Sequence, residues 1–157
     1  MAERRDTVQG ALRAAYSLLR HRDRSEREMR DRLAKKGYSE QTIAGAVEKL
    51  LNAGYLDDRR LAENLKRIAS ERKQLGNYGV NAYLHKRGIC REVIESVSGD
   101  ADEVEVAERL VGRKAERMIT LDAETKKKRL WGILARRGFS AATIRTVLSP
   151  YGIGRTI

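Results

Sequence analysis

The stretch Leu33-Ala34-Lys35-Lys36-Gly37-Tyr38-Ser39 returns twice along the chain. It reappears as Leu84-His85-Lys86-Arg87-Gly88-Ile89-Cys90 and as Leu134-Ala135-Arg136-Arg137-Gly138-Phe139-Ser140. The glycines lie 51 and 50 residues apart, and self-similarity at such a period is the mark of a repeat architecture. In each copy a leucine and basic residues close a helix, where cations complement the negative end of the dipole. Glycine can then take the left-handed conformation that ends a helix, because it has no Cβ to clash. An apolar residue turns back to the core, and Ser39, Cys90 or Ser140 stands where the next N-cap belongs, a role that suits serine well and cysteine poorly. The repeated unit is helix, glycine corner, helix.

The segments between the corners complete an all-α fold of nine helices in three tandem sets of three. The repeats span residues 7–54, 55–99 and 100–149, with a tail at 150–157. Val8, Leu12, Ala15, Tyr16 and Leu19 mark one face of the first helix, with Asp6 as its N-cap. Ser25-Glu26-Arg27-Glu28 reads as a capping box opening the second, which buries Met29 and Leu33. Ile43, Val47 and Leu50 face inward from the third. Tyr55 and Leu56 form a hydrophobic corner, Asp57 caps the fourth helix, and Leu61, Leu65, Ile68 and Leu75 line its inner face. Gly76-Asn77-Tyr78-Gly79 is a loop or a loose helix start before Val80, Tyr83 and Leu84, and Val93, Ile94 and Val97 mark a short sixth helix. Beyond the break at 98–102, Val104, Ala107, Val111 and Met118 share a face; Asp122 then caps a helix holding Leu130, Trp131 and Leu134. Ile144, Val147 and Leu148 mark the ninth helix, Pro150 stops it, and residues 151–157 read as a frayed tail. The first helix of each set is expected to be the longest, and three stacked triplets should give an elongated, curved array.

Charge is uneven over the 157 residues. The net charge is +11; residues 59–91 hold nine basic and two acidic groups, residues 92–108 hold seven acidic and none basic, and residues 109–157 hold twelve basic and three acidic. Two basic blocks around an acidic segment point to an anionic partner met at two places, nucleic acid being the commonest. The candidate contacts are Arg59, Lys66, Arg67, Arg72 and Lys73 on the outer face of the fourth helix, which also carries Arg60, and Lys126, Lys127, Lys128 and Arg129 on the eighth. The corner pairs Lys86-Arg87 and Arg136-Arg137 are candidates too, although closing a helix already accounts for them. The plain alternative for every one of these faces is a solvated helix surface.

No constellation for catalysis stands out. There is no Walker-type glycine loop, CxxC or HExxH. Asp57 and Asp58 lack a third ligand and read as helix caps, His21 and His85 are far apart, and Cys90 has no base beside it. His85 stands where the other copies have Ala34 and Ala135, a tolerant surface position. No metal, cofactor or enzymatic activity is expected. Trp131, Phe139 and the tyrosines could stack on bases, but core packing is the stronger reading. One cysteine cannot form an internal disulfide, no apolar run approaches the ~20 residues of a membrane span, and Met1 to Asp6 has no apolar segment behind it like that of a signal peptide. A cytoplasmic location is therefore expected.

Gly54-Tyr55-Leu56-Asp57-Asp58-Arg59-Arg60-Leu61-Ala62, between the first and second corners, resembles the bacterial RecX family, regulators of the RecA recombinase. The resemblance runs from about Ala11 to Leu148, with Leu61 where the family often has an aromatic residue. It implies a non-enzymatic, monomeric, cytoplasmic protein of three helical repeats, acting in DNA repair, recombination and the SOS response. Such a protein binds the RecA–DNA filament along its groove and restrains ATP hydrolysis, strand exchange and co-protease activity. Its partners would be RecA and single-stranded DNA, with double-stranded DNA as a further one. The family brings no catalytic residues. The residues themselves leave a second reading open: a glycine-cornered helix pair resembles a helix-turn-helix that acts on duplex DNA directly.

Overall fold

The computed structural model describes residues 6–99 and 102–151. Among these there are nine α-helices and no strand: α1 Val8–Leu19, α2 Glu26–Lys35, α3 Glu40–Asn52, α4 Asp58–Glu71, α5 Asn77–Lys86, α6 Arg91–Val97, α7 Glu103–Glu116, α8 Ala123–Arg136 and α9 Ala141–Leu148, followed by a 3-10 turn at Ser149–Tyr151. The chain divides into two compact units. Among the described residues, one comprises 6–64 and 84–97; the other comprises 65–83, 98–99 and 102–151.

All three corners close in one way. Gly37, Gly88 and Gly138 have φ of 92°, 82° and 78°. The amide after each glycine (Tyr38, Ile89, Phe139) donates to the carbonyl five residues back (Leu33, Leu84, Leu134) at 3.1–3.3 Å. The glycine amide itself donates to Ala34, His85 or Ala135. This pair of bonds is a Schellman motif, and it satisfies the carbonyls that a helix end otherwise leaves unpaired. Ile89 and Phe139 are buried behind it. Ser39 and Ser140 then accept from the amides of Thr42 and Thr143 as N-caps.

In the first unit, Ala11 and Ala15 of α1 lie fully buried with Met29 and Leu33 of α2, Ile43, Ala46, Val47 and Leu50 of α3, and Leu56. Alanine on α1 lets the helices approach closely. The capping box at Ser25 forms as the sequence predicts. Asp6 does not cap α1: Thr7 does, accepting from the Gly10 amide, while Asp6 accepts from the Ser39 amide at 3.0 Å.

In the second unit the core is Val106, Ala107, Leu110, Val111 and Ala115 of α7, Leu130 and Leu134 of α8, Phe139, and Ile144, Val147 and Leu148 of α9. Met118 lies beyond the end of α7 and packs on this core from there. Trp131 is 37% exposed, because Leu130 and Leu134, four apart, set the inner stripe of α8 and the next residue points about 100° away. Tyr151 is no frayed tail: it sits in the 3-10 turn against the core. Residues 152–157 lie outside the described residues.

α4 stops earlier than its apolar spacing suggests. It ends at Glu71, and the Arg72 and Lys73 amides both turn back to the Ile68 carbonyl. Gln74 then takes a left-handed φ of 50°, so Leu75 lies past the helix. The buried residues of α4 are Leu61, Ala62, Leu65 and Ala69, with Ile68 half-buried. The first helix is the longest of its set only for α4: α3 has 13 residues against 12 for α1, and α7 and α8 both have 14.

Candidate functional site

Two of the glycine corners dock on the N-terminus of another helix, and this decides which basic residues are available. In the first unit the second corner lies on the start of α2. A Cβ at Gly88 would stand 2.6 Å from the Ser25 hydroxyl oxygen, so only glycine fits there. Arg87, just before it, donates from Nε to Glu28 Oε1 at 2.7 Å and from Nη2 to the Asp23 carbonyl at 3.0 Å. Only 13% of the Arg87 side chain is exposed. Burial, the largest single influence on the Glu28 carboxyl, raises its pKa, but the hydrogen bond and charge of Arg87, the Ser25 amide and Arg22 together hold it below the usual range. Asp58 completes this junction by accepting from the Glu26 amide at 2.9 Å. Its carboxyl is pushed up, chiefly by burial.

In the second unit the third corner lies on the start of α5, through backbone. The Gly76 amide donates to the Arg137 carbonyl at 2.9 Å and the Tyr78 amide to the Gly138 carbonyl at 3.1 Å. A Cβ at Gly138 would stand 2.6 Å from Gly79 Cα, and one at Gly76 would stand 2.5 Å from the Gly138 oxygen. The glycines at 76 and 79 are therefore a docking surface as well as a loose helix start. Glu103 ties the junction together. It accepts from the Asn77 amide at 2.9 Å, the Ser140 amide at 3.2 Å, the Ser140 hydroxyl at 2.9 Å and the Thr143 hydroxyl. Burial raises its pKa most of all, yet these donors together hold it below the usual range.

At this corner Arg137 pairs with no carboxylate among the described residues. Gly79 occupies the place in the second repeat that Glu28 holds in the first, and Arg137 Nη1 donates to the Lys73 carbonyl at 2.5 Å. The same unit holds most of the predicted contacts. Arg67, Arg72, Lys73, Lys128, Arg129 and Arg136 are exposed; Lys66, Lys126 and Lys127 are half-buried. The Lys73 ammonium lies 5.0 Å from the centroid of the Tyr83 ring, and that of Lys126 lies 5.7 Å from Tyr151. Lys66 donates to the Gly99 carbonyl at 3.3 Å. Arg67, Arg72, Lys73, Lys126, Lys127, Lys128, Arg129 and Arg136 form no ion pair among the described residues.

The first unit holds the rest. Lys86 is exposed, and Arg59 is exposed beside Glu63 at 3.7 Å. Arg60 donates to the Gly54 carbonyl at 3.3 Å. Arg87 is largely enclosed and pairs with Glu28 at 2.7 Å. Core packing accounts for Phe139 but not for Tyr16, Tyr55, Tyr78 and Trp131, which are 37–70% exposed. Tyr16 and Tyr55 pack edge to face at 5.1 Å. Sequence reasoning passed over Arg113, Lys114 and Arg117, which line a recess with Gln74, Leu110 and Arg137. Cations in the last turn of a helix are already accounted for by the helix dipole; the absence of acids from residues 109–115 was the available signal.

These features define an all-helical protein of glycine-cornered three-helix segments with basic, largely unneutralised faces. Residues 11–50 match the first three-helix domain of RecX, and residues 101–148 match the third. The chain is 32% identical over 139 residues to the regulatory protein RecX of Pelodictyon phaeoclathratiforme, covering 88% of this chain and 87% of that one. It is 30% identical over 149 residues to the regulatory protein RecX of Amycolatopsis mediterranei, covering 90% and 85%. Its fold is similar to the crystal structure of RecX from Lactobacillus salivarius, with a TM-score of 0.81, 23% identity, and 92% and 96% of the two chains covered. The chain belongs to the RecX family of regulatory proteins. Among the described residues no helix is long and apolar enough to cross a membrane.

Proposed function

We propose that this protein is a non-enzymatic negative modulator of the RecA recombinase. It acts as a monomer in the cytoplasm, through three helical repeats at 7–54, 55–99 and 100–149. It binds the RecA–DNA filament and restrains ATP hydrolysis, strand exchange and co-protease activity during DNA repair and the SOS response. The observation that carries the reading, beyond family membership, is the set of exposed cations at Arg67, Arg72, Lys73, Lys128, Arg129 and Arg136, which form no ion pair among the described residues. Exposed charge of one sign speeds association with a polyanion and makes it salt-dependent.

The test is ATP hydrolysis by RecA on single-stranded DNA with this protein titrated in, beside its binding to bare DNA. Inhibition at amounts far below those that coat the DNA is the expected result. Inhibition only at saturation of the DNA would make the protein a competitor for DNA. No inhibition, with sequence preference on bare duplex, would favour the helix-turn-helix reading. Three near-identical corners, none distinguished as a recognition helix, speak against that reading.

A further inference from the structure

We propose that the recess at the end of α7 is a binding site for a single phosphate group. Arg113, Lys114 and Arg117 come from the last turn of α7 and its C-cap, and Arg137 from the third corner. Gln74 and Leu110 complete the lining, and no carboxylate takes part. The carbonyl end of α7 offsets about half a charge. Four cations against half a negative charge leave a strongly positive recess in search of an anion.

Two of the four are set in place before any ligand arrives, and by neutral oxygens. Arg113 Nη2 donates to the Gln74 amide oxygen, and Arg137 Nη1 donates to the Lys73 carbonyl. Those bonds fix the guanidiniums without cancelling their charge. The contrast with Arg87, whose charge is met by Glu28, shows that the fold can supply a carboxylate at such a place and does not do so here. Gln74 takes its left-handed φ of 50° where it meets Arg113, so the backbone turn after α4 supports the same geometry.

Size and chemistry narrow the ligand. The recess has a volume of about 180 Å³, below the ~300 Å³ at which pockets for whole small molecules begin. It suits one tetrahedral oxyanion, which guanidinium groups recognise through paired hydrogen bonds. The phosphate can come from a nucleic-acid backbone or from a free phosphate species. The backbone source rests on the nucleic-acid contact proposed above; the free source does not.

The test uses the full chain and the double variant Lys114→Gln, Arg117→Gln, two residues whose side chains form no ion pair among the described residues. The probes are inorganic phosphate and a short oligothymidylate, followed through the side-chain N–H resonances of Arg113 and Arg137. Shifts with inorganic phosphate that vanish in the variant establish a free-phosphate site. Shifts with oligothymidylate alone, again lost in the variant, place the site on the backbone. In that case the variant binds the strand about tenfold more weakly, and its salt slope falls by about 0.7 for the one phosphate lost. A control that removes two charges in the first unit, Arg13→Gln with Arg32→Gln, should keep the slope. The proposal is overturned if neither probe moves these resonances, or if the control lowers the slope as much as the variant. RecA plays no part in any of these measurements, so their failure is separate from failure of the filament reading.

Discussion

Arg87 and Arg137 precede equivalent glycines in equivalent corners, yet they live in opposite surroundings. Arg87 is enclosed at the start of α2 and bonded to Glu28. Arg137 stands at the start of α5, half-buried, and bonds a backbone carbonyl. The corner in the first unit closes with side chains, those of Ser25, Glu28 and Arg87. The corner in the second unit closes with backbone, through Gly76, Tyr78 and Gly138. With Gly79 in place of the capping-box glutamate, two backbone segments approach to hydrogen-bonding distance, and Arg137 forms no ion pair among the described residues. One repeat unit thus yields a structural junction in one copy and an electropositive one in the other.

The sharpest way to break this comparison is at the glycines. Gly138→Ala meets both a left-handed backbone and Gly79 at 2.6 Å, and should cost about 3 kcal/mol from strain and overpacking together. Gly37→Ala keeps the left-handed strain in open space and should cost about 1 kcal/mol. Urea midpoints of the two variants decide it: equal losses would mean that the third corner is not docked through its backbone.

The arginines come next. Arg87→Ala leaves the half-buried Glu28 with only Arg22 and the Ser25 amide as partners and should cost about 2 kcal/mol. Arg137→Ala removes a bond to a neutral carbonyl and should cost about 1 kcal/mol, with the larger consequence in anion binding. If Arg137→Ala proved the more destabilising by chemical denaturation, the division into a structural and an available arginine would collapse.

The smallest effect is in pH and salt. Glu28 and Glu103 are both held below the ordinary glutamate value of 4.5. A carboxyl lowered in the folded state stabilises fully above its unfolded pKa. That contribution is lost as pH falls below 4.5 through the folded value. Glu28→Gln and Glu103→Gln should each flatten the loss of stability between pH 6 and pH 3, by about 0.5 kcal/mol once the water reaching both groups is allowed for. Added salt should shrink the Glu28 effect, which rests on Arg87, and spare that of Glu103, whose donors are neutral. Urea midpoints at two pH values and two salt concentrations measure both; an unchanged pH slope in either variant would remove that glutamate from its junction.

Much of the fold was legible because it is written at short range. A Schellman corner spans six residues, and its signature, leucine, basic pair, glycine, apolar residue, is contiguous. The capping box at Ser25 and the caps at Ser39, Asp57, Asp122 and Ser140 likewise involve partners three residues apart. Errors arose where a longer-range partner competed. Asp6 looked like the cap of its own helix, but Ser39 takes it from 33 positions away. Trp131 looked apolar enough for the core, but the spacing of Leu130 and Leu134 excluded it.

The candidate site divides along the same line. Its charge was visible in composition, and Lys126 to Arg129 could be named from the chain alone. The neutralisation of Arg87 could not, since Glu28 lies 59 positions away. The gathering of Arg113, Lys114 and Arg117 with Arg137 could not either, since they come from different helices of the repeat. By itself the sequence determined an all-α chain of three glycine-ended helix pairs with its basic charge in two blocks, because helix period, caps and stops are local. Only the tertiary structure decided which corner arginine meets a carboxylate and which meets a backbone carbonyl, because that depends on which helix N-terminus each corner meets.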